Sequence, residues 1–252
     1  MSRLIYSESD LDTWSREGDL DDGYLWGIGD SWFDYPLKHD ILEIVSREVE
    51  MPIYKMAHYG YELAQMFSGE EKAIKIKRMQ DYGRHMQGIL LSCGGNDIVG
   101  PNLYCVSDYR NGASAAFEKK IALLGLLLED ALQMFEVFLQ RTVPVFIHCY
   151  DWPIPSDRGY RILGHTFAGP WIRPILTPMF PDDAMQREIC RYMIDAYAGM
   201  LSDLGTRRRN LMLIDTRGTI HENQWDNEIH PTETGFKTVA DLFKARVSAG
   251  LG

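Results

Sequence analysis

The chain has 252 residues, of which 45% are apolar and 25% are charged, a balance typical of a globular protein and not of a disordered or fibrous one. This length is enough to bury a substantial core, and we expect a single domain over residues 1–252. The 26 basic and 36 acidic residues give a net charge of −10, which argues against a nucleic acid partner because such a surface repels polyanions.

The N-terminal segment, MSRLIYSESDLDTW, lacks the apolar stretch of a secretory signal peptide. Nothing further along the chain approaches the ~18 uninterrupted apolar residues that a membrane-spanning helix needs. We therefore expect no membrane span and a cytoplasmic location. The four cysteines are far apart and form no CxxC pair, so the sequence predicts neither a zinc site nor a disulfide framework.

Short apolar segments bounded by turn residues alternate with longer segments of helical periodicity. The short segments are typical of strands covered on both faces; they are YLWGIG (24–29), PIYKMAH (52–58), GILLSC (88–93), VPVFIHCY (143–150) and NLMLIDT (210–216). Helical spacing occurs in residues 36–50, 70–83, 114–141, 182–205 and 235–247. This alternation predicts a parallel sheet with helices on both faces.

Residues 152–180 fit neither pattern, because they contain five prolines and two tryptophans with almost no periodicity. We predict a long loop insertion near the active site. The segment follows the fourth predicted strand at its carboxyl end, the edge at which open α/β sheets bind ligands. It is interpreted either as a wall of a substrate pocket or as a cover over the sheet, with Trp152 and Trp171 as candidate substrate-binding side chains.

Four short motifs lie at the ends of predicted strands or just before the last helix. Gly29-Asp30-Ser31 follows the first strand, Gly60 follows the second, GGND (94–97) follows the third, and His230-Pro231 precedes the helix. Each composition alone also suits an ordinary turn or helix start. Because the carboxyl ends of parallel strands meet at one edge of a sheet, we expect all four motifs on that edge.

Other catalytic and cofactor signatures do not fit the first motif. Gly27-Ile28-Gly29 lacks the third glycine of the dinucleotide-binding fingerprint, because Trp32 occupies its position. Ser31 is not in a G-x-S-x-G nucleophile elbow, since Phe33 occupies the position of the second glycine. The seven histidines include no HExxH pair, and we assign neither a metal nor a cofactor.

In their order and placement the four motifs resemble those of the SGNH hydrolases, also called the GDSL esterase and lipase superfamily. The resemblance extends over residues 24–247. It implies a three-layer αβα sandwich, flavodoxin-like, with a five-stranded parallel sheet in the strand order 2-1-3-4-5. It also implies a serine hydrolase that cleaves a small-molecule or carbohydrate ester through an acyl-serine intermediate.

Position by position, the resemblance assigns Ser31 as the nucleophile and His230 as the base. The Ser31 and Gly60 N–H groups and the Asn96 side-chain amide would form the oxyanion hole. The chemistry of these residue types agrees. A serine hydroxyl needs a base within hydrogen-bond reach, and fixed donors stabilise the negative charge that develops on a carbonyl oxygen.

One position departs from the family's pattern. The family carries an aspartate three residues before the histidine, where this chain has Asn227, with Asp226 one residue earlier. Both side chains are candidates for orienting His230. Asp226 would share a face with His230 on a helix, but Pro231 favours an extended conformation at His230. We therefore expect the Asn227 oxygen to accept the hydrogen bond and Asp226 to contribute little.

Three alternative functions use the same residues. An acyltransferase would pass the acyl group to an alcohol in place of water, and a thioesterase would cleave a thioester. The third is a binding module with an esterase fold and a lapsed active site, an interpretation suggested by the missing aspartate.

Overall fold

The computed structural model describes residues 4–37 and 39–251. The described residues form eight strands: β1 (Leu4–Ile5), β2 (Tyr24–Gly29), β3 (Ile53–Ala57), β4 (Met86–Ser92), β5 (Val145–His148), β6 (Tyr160–Ile162), β7 (His165–Ala168) and β8 (Leu211–Ile214). Six of them make a parallel sheet in the order β1-β3-β2-β4-β5-β8.

Helices flank this sheet and complete a three-layer αβα sandwich. Within the described residues they are α1 (Glu8–Glu17), α2 (Ile41–Val45), α3 (Leu63–Met66), α4 (Gly69–Tyr82), α5 (Gly95–Ile98), α6 (Ala115–Leu139), α7 (Arg173–Leu176), α8 (Asp183–Arg207) and α9 (Glu233–Leu251). Helix α2 packs against α9, and α6 packs against both α4 and α8. None of the described helices combines the length and the apolar character needed to cross a membrane.

The predicted fold class is confirmed, but the predicted number of strands was too small, because the sheet has six strands and not five. The five predicted strands correspond to β2, β3, β4, β5 and β8, and they lie in the expected order 2-1-3-4-5. The additional strand β1 pairs with β3 at the edge, with Leu4 opposite Ile53. Two residues are too few to form a recognisable apolar run.

Residues 152–180, which were predicted to be a long loop insertion, are not loop throughout. They contain β6 and β7, which form an antiparallel hairpin, and the short helix α7. The hairpin turns at Leu163 and Gly164, whose φ angles are 49° and 83°. Two consecutive residues with positive φ suit a tight hairpin, but Leu-Gly is not one of the dipeptides that signal such a turn in a sequence.

The strands appear in the sequence as continuous apolar runs because they are buried on both faces. Every residue of β2 is buried, because helices cover both faces of the sheet. In α6 the apolar residues recur at intervals of three and four, and this stripe packs into the core. The polar residues at the carboxyl ends of β2 and β4 follow directly on these buried strands, so the rigid centre of the sheet fixes their positions.

Candidate active site

Ser31 lies in the turn that follows β2, and the neighbouring Asp30 fixes the shape of that turn. The buried Asp30 carboxylate accepts hydrogen bonds through Oδ1 from the Trp32 N–H, at 3.0 Å, and from the Ser92 hydroxyl, at 2.8 Å. The Phe33 N–H donates to the Asp30 carbonyl oxygen at 3.0 Å. Aspartate commonly closes turns in this way, and here it holds Ser31 at the edge of the sheet.

The hydrogen bonds of Asp30 continue into the core beneath Ser31. The Tyr150 hydroxyl donates to Asp30 Oδ2 at 2.5 Å, and Ser92 Oγ lies 2.8 Å from His148 Nε2. Because His148 Nδ1 accepts the Tyr150 N–H, Nε2 carries the proton and donates to Ser92. Burial raises the pKa of Asp30 to about 6 and lowers that of His148 to about 3, so His148 is neutral at physiological pH.

The side chains of Ser31 and His230 meet at the edge of the sheet. Ser31 Oγ lies 2.8 Å from His230 Nε2, and both residues are buried. His230 belongs to a turn that precedes α9. This turn is closed on itself, since the His230 carbonyl oxygen accepts the N–H groups of Asp226, at 2.9 Å, and Asn227, at 3.3 Å.

Asn227 lies on the other side of the His230 ring. Its Oδ1 is 3.1 Å from His230 Nδ1 and also accepts the backbone N–H groups of Ile229 and His230, at 3.1 and 3.0 Å. These two backbone donors fix the oxygen toward the ring, so Nδ1 carries the proton and Nε2 accepts from the serine hydroxyl. The Asp226 carboxylate instead accepts the hydroxyl of Tyr35 at 2.8 Å.

The three predicted oxyanion donors lie in the segments that follow β2, β3 and β4. Asn96 and Ser31 line the same cavity, and the Asn96 amide donates one N–H to the Tyr61 carbonyl oxygen at 3.0 Å, which leaves its second N–H available. Gly60, next to Tyr61, is exposed, has a φ of +82° and is not part of the cavity lining. Neither the Ser31 nor the Gly60 N–H donates to another residue that the structure describes.

Close packing explains the two glycines before Asn96. Gly94 has a φ of +89°, and a Cβ at this position would come within 2.6 Å of the Tyr197 hydroxyl oxygen. A Cβ on Gly95 would come within 2.8 Å of the Tyr150 ring. Larger residues at either position would therefore displace the loop that carries Asn96.

A small cavity opens beside Ser31. Its volume is about 30 Å³, and Asn96 and Tyr150 contribute to its polar lining. Its apolar lining comes from Ile98, Val99, Pro153, Ile194 and Ile229. The arrangement can hold a small apolar group next to the Ser31 hydroxyl.

The fold is similar to those of several solved structures. A lipase from a goat rumen metagenome matches with a TM-score of 0.61 and 13% identity, over 91% of this chain and 100% of the other. A candidate GDSL-like lipase from Parabacteroides merdae matches with a TM-score of 0.54 and 12% identity, over 92% and 97% of the two chains. The chain has the SGNH hydrolase fold.

A carbohydrate acetylesterase from Sinorhizobium meliloti shares this SGNH fold, with a TM-score of 0.55 and 10% identity over 90% of this chain and 99% of the other. No protein-family model and no curated protein matches the sequence. At identities of 10–13%, these likenesses are likenesses of three-dimensional structure.

The two tryptophans proposed as substrate-binding residues lie in different places on the SGNH fold. The Trp171 ring is 5.6 Å from the His230 ring and nearly perpendicular to it. Trp152 donates its indole N–H to Asp195 at 3.2 Å and packs against the Arg191 guanidinium, 5.0 Å from the ring centroid. Trp152 lines a neighbouring cavity of about 320 Å³ and not the one beside Ser31. The structure thus brings Trp171, but not Trp152, to His230.

Glu228, which sequence reasoning missed, connects residues 152–180 to the turn that carries His230. Its carboxylate is fully buried, and burial raises its pKa, although the hydrogen bonds of four backbone N–H groups act in the opposite direction. These donors all belong to the 152–180 segment: Ser156, Trp171, Ile172 and Arg173. A single glutamate in a turn belongs to no motif, so the sequence carries no signal for this role.

Proposed function

We propose that the protein is a serine ester hydrolase that cleaves a carboxylic ester through an acyl-serine intermediate. The observation that carries this proposal is the contact of 2.8 Å between Ser31 Oγ and Nε2 of a histidine whose Nδ1 lies 3.1 Å from an amide oxygen. A serine beside an oriented base is the arrangement that nucleophilic catalysis requires. The names of the structural neighbours, a lipase and a carbohydrate acetylesterase, support an ester as the substrate.

In the acylation step, Ser31 Oγ attacks the carbonyl carbon of the ester and His230 Nε2 takes the hydroxyl proton. The carbonyl oxygen becomes negatively charged and accepts hydrogen bonds from the Ser31 and Gly60 N–H groups and from the free N–H of Asn96. The tetrahedral intermediate then collapses. The bond to the leaving oxygen breaks, and His230 gives its proton to the departing alcohol.

In the deacylation step, water attacks the carbonyl carbon of the acyl-serine and transfers a proton to His230 Nε2. The second tetrahedral intermediate releases the acid as the bond to Ser31 Oγ breaks, and His230 returns the proton to the serine. Asn227 keeps the Nδ1–H of His230 in place throughout, so Nε2 faces the reacting atoms in both steps.

We further infer that the acyl group is short. A cavity of about 30 Å³ holds two or three water-sized groups, because one water needs roughly 10–15 Å³ of such space. An acetyl or propionyl group has a size that suits this space beside Ser31, where Ile194 and Ile229 form part of the lining. An acetylated alcohol or sugar is therefore the substrate class that suits the site.

A fluorophosphonate probe tests the proposal, because such probes react with activated serines. We expect the native protein and Ser202→Ala, which changes an exposed serine on α8, to be labelled and to hydrolyse p-nitrophenyl acetate. Ser31→Ala should be neither labelled by the probe nor able to hydrolyse p-nitrophenyl acetate. If the native protein is not labelled, the site is a lapsed one and the protein is a binding module.

A further inference from the structure

The hydrogen bonds of His230 continue past Asn227 to a carboxylate. Asn227 Nδ2 donates to the Tyr35 hydroxyl oxygen at 3.1 Å, and the Tyr35 hydroxyl donates to Asp226 Oδ2 at 2.8 Å. An ionised carboxylate can only accept, so Tyr35 must direct its proton to Asp226 and its oxygen lone pair to Asn227. Every donor from Ser31 to Tyr35 therefore points toward Asp226.

The hydrogen-bonded series Ser31–His230–Asn227–Tyr35–Asp226 is shielded from water in its middle. Asn227 is 0% exposed, Tyr35 is 4% exposed and His230 is 5% exposed. Burial, and next the hydrogen bond to Asp226, raises the pKa of Tyr35, so its hydroxyl keeps the proton that it donates. In such a low-dielectric region consecutive hydrogen bonds polarise one another.

We propose that Tyr35 and Asp226 are positioning residues that act on His230 through Asn227. A neutral amide fixes the tautomer of His230 but brings no negative charge to the imidazolium that forms when Ser31 loses its proton. Asp226 supplies that charge at the far end of the series. Tyr35 links it to the Asn227 amide, because its hydroxyl donates to Asp226 and accepts from Asn227. This inference rests on the proposed function, in which His230 is the base.

Two variants distinguish the effect of the Asp226 charge from that of the hydrogen bonds through Tyr35. Asp226→Asn keeps an acceptor for Tyr35 but removes the charge, and Tyr35→Phe removes the connecting hydroxyl. We expect each to lower kcat by about tenfold with little change in KM, because the imidazolium forms only after substrate has bound. The acid limb of the kcat/KM profile should move to lower pH, since His230 becomes a weaker base.

Tyr160→Phe is the matched control. The Tyr160 ring packs 5.4 Å from that of Tyr35, but its hydroxyl donates to the Pro36 carbonyl oxygen at 2.8 Å and takes no part in the series. We expect its kcat and pH profile to equal those of the native protein. Glu228, the other carboxylate of this turn, is bonded to four backbone N–H groups and is the same in all the variants.

A second background tests whether Tyr35 acts through Asn227. Asn227→Asp places a carboxylate directly on His230 Nδ1 and removes the Nδ2–H that donates to Tyr35, so Tyr35 and Asp226 no longer act on His230 through this side chain. Tyr35→Phe should then lose less than about threefold in the Asn227→Asp background. An equal loss in both backgrounds would mean that Tyr35 only supports the packing, and it would overturn the proposal.

A nitrogen NMR titration of the His230 ring needs no turnover and so separates this proposal from the proposed function. We expect the protonation midpoint to fall in Tyr35→Phe and Asp226→Asn and to stay unchanged in Tyr160→Phe. An unchanged midpoint in the first two variants overturns the role of Tyr35 and Asp226, even if the protein hydrolyses esters. A protein without esterase activity whose midpoints still shift would refute the function and not the coupling.

Discussion

Asn227 occupies the position at which an SGNH hydrolase is expected to carry an aspartate. Its oxygen already accepts three N–H groups within 3.1 Å, and in Asn227→Asp the second carboxylate oxygen replaces the Nδ2 donor and faces the Tyr35 hydroxyl. We predict that Asn227→Asp raises kcat by up to about tenfold, because a carboxylate stabilises the imidazolium better than an amide does. Steady-state kinetics at saturating ester measure this change, and an unaltered or lower kcat would contradict it.

Asn96 is the one predicted oxyanion donor that acts through a side chain. We expect Asn96→Ala to lower kcat by roughly 10²–10³ and to leave KM nearly unchanged, because the lost hydrogen bond forms mainly in the transition state. The control is Asn210→Ala, which removes an amide that donates to the Val143 carbonyl oxygen. Both residues precede their strands, so they lie at the amino ends of the sheet, away from Ser31. An effect of Asn96→Ala on KM alone would make this residue a ground-state binding group.

The sequence led to Ser31, Asn96 and His230 because each belongs to a short motif at a strand end or before a helix. The structure puts Ser31 in contact with His230 and beside Asn96. Tyr35 could not be found in this way, since its partner Asp226 is 191 residues away and the contact depends on how two turns pack. The sequence suggested Asp226 only as a direct partner of the His230 imidazole.

At the scale of elements, the 152–180 segment is attached to the site through Glu228. A glutamine at this position has one oxygen that can accept two of the four N–H groups. Its NH₂ group would face the other two N–H groups and cannot accept from them. We predict that Glu228→Gln lowers the free energy of unfolding by about 2–4 kcal/mol, the cost of leaving one or two buried N–H groups unpaired.

Urea denaturation of Glu228→Gln and of a matched control measures this effect. Glu222→Gln changes an exposed glutamate that pairs with Arg187 and should shift the stability by less than about 1 kcal/mol. Equal losses in the two variants would show that the backbone hydrogen bonds of Glu228 do not stabilise the segment.

Most long elements were predicted, but the ten-residue helix α1 was not, because no helical periodicity was recognised before residue 36. The apolar runs and helical stripes identified the five central strands and the helices α4, α6, α8 and α9. The helix expected over residues 36–50 is reduced to α2, Ile41–Val45, because Leu37 has a positive φ and turns follow Ser46. The strands β1, β6 and β7 have two to four residues and, unlike β5 and β8, do not lie in a longer apolar run, so they leave no periodic signal.

At the scale of the whole molecule, a buried histidine couples the stability of the fold to pH. The pKa of His148 is about 3 in the folded protein, because burial disfavours its charged form, and ~6.5 in an unfolded chain. The folded state therefore binds this proton more weakly. The part of the free energy of unfolding that depends on a neutral His148 is therefore fully present above about pH 6.5 and is lost as the pH falls toward 3.

We predict that the native protein loses about 3 kcal/mol more stability than His148→Gln between pH 7 and pH 4. Denaturation at several pH values measures the difference between the two proteins. His165→Gln, which changes an exposed histidine of the hairpin, should instead follow the native protein at every pH. A difference between native and His148→Gln that does not vary with pH would contradict the prediction.

The parallel sheet brings the carboxyl ends of β2, β3 and β4 together, and we propose that Ser31, at the first of these ends, becomes acylated. Rapid acid quenching during hydrolysis of p-nitrophenyl acetate, followed by peptide mass spectrometry, detects such an acyl-enzyme. We expect one acetyl group on the peptide that contains Ser31, and none in Ser31→Ala. Acetylation of another residue, or rapid hydrolysis by Ser31→Ala, would contradict it.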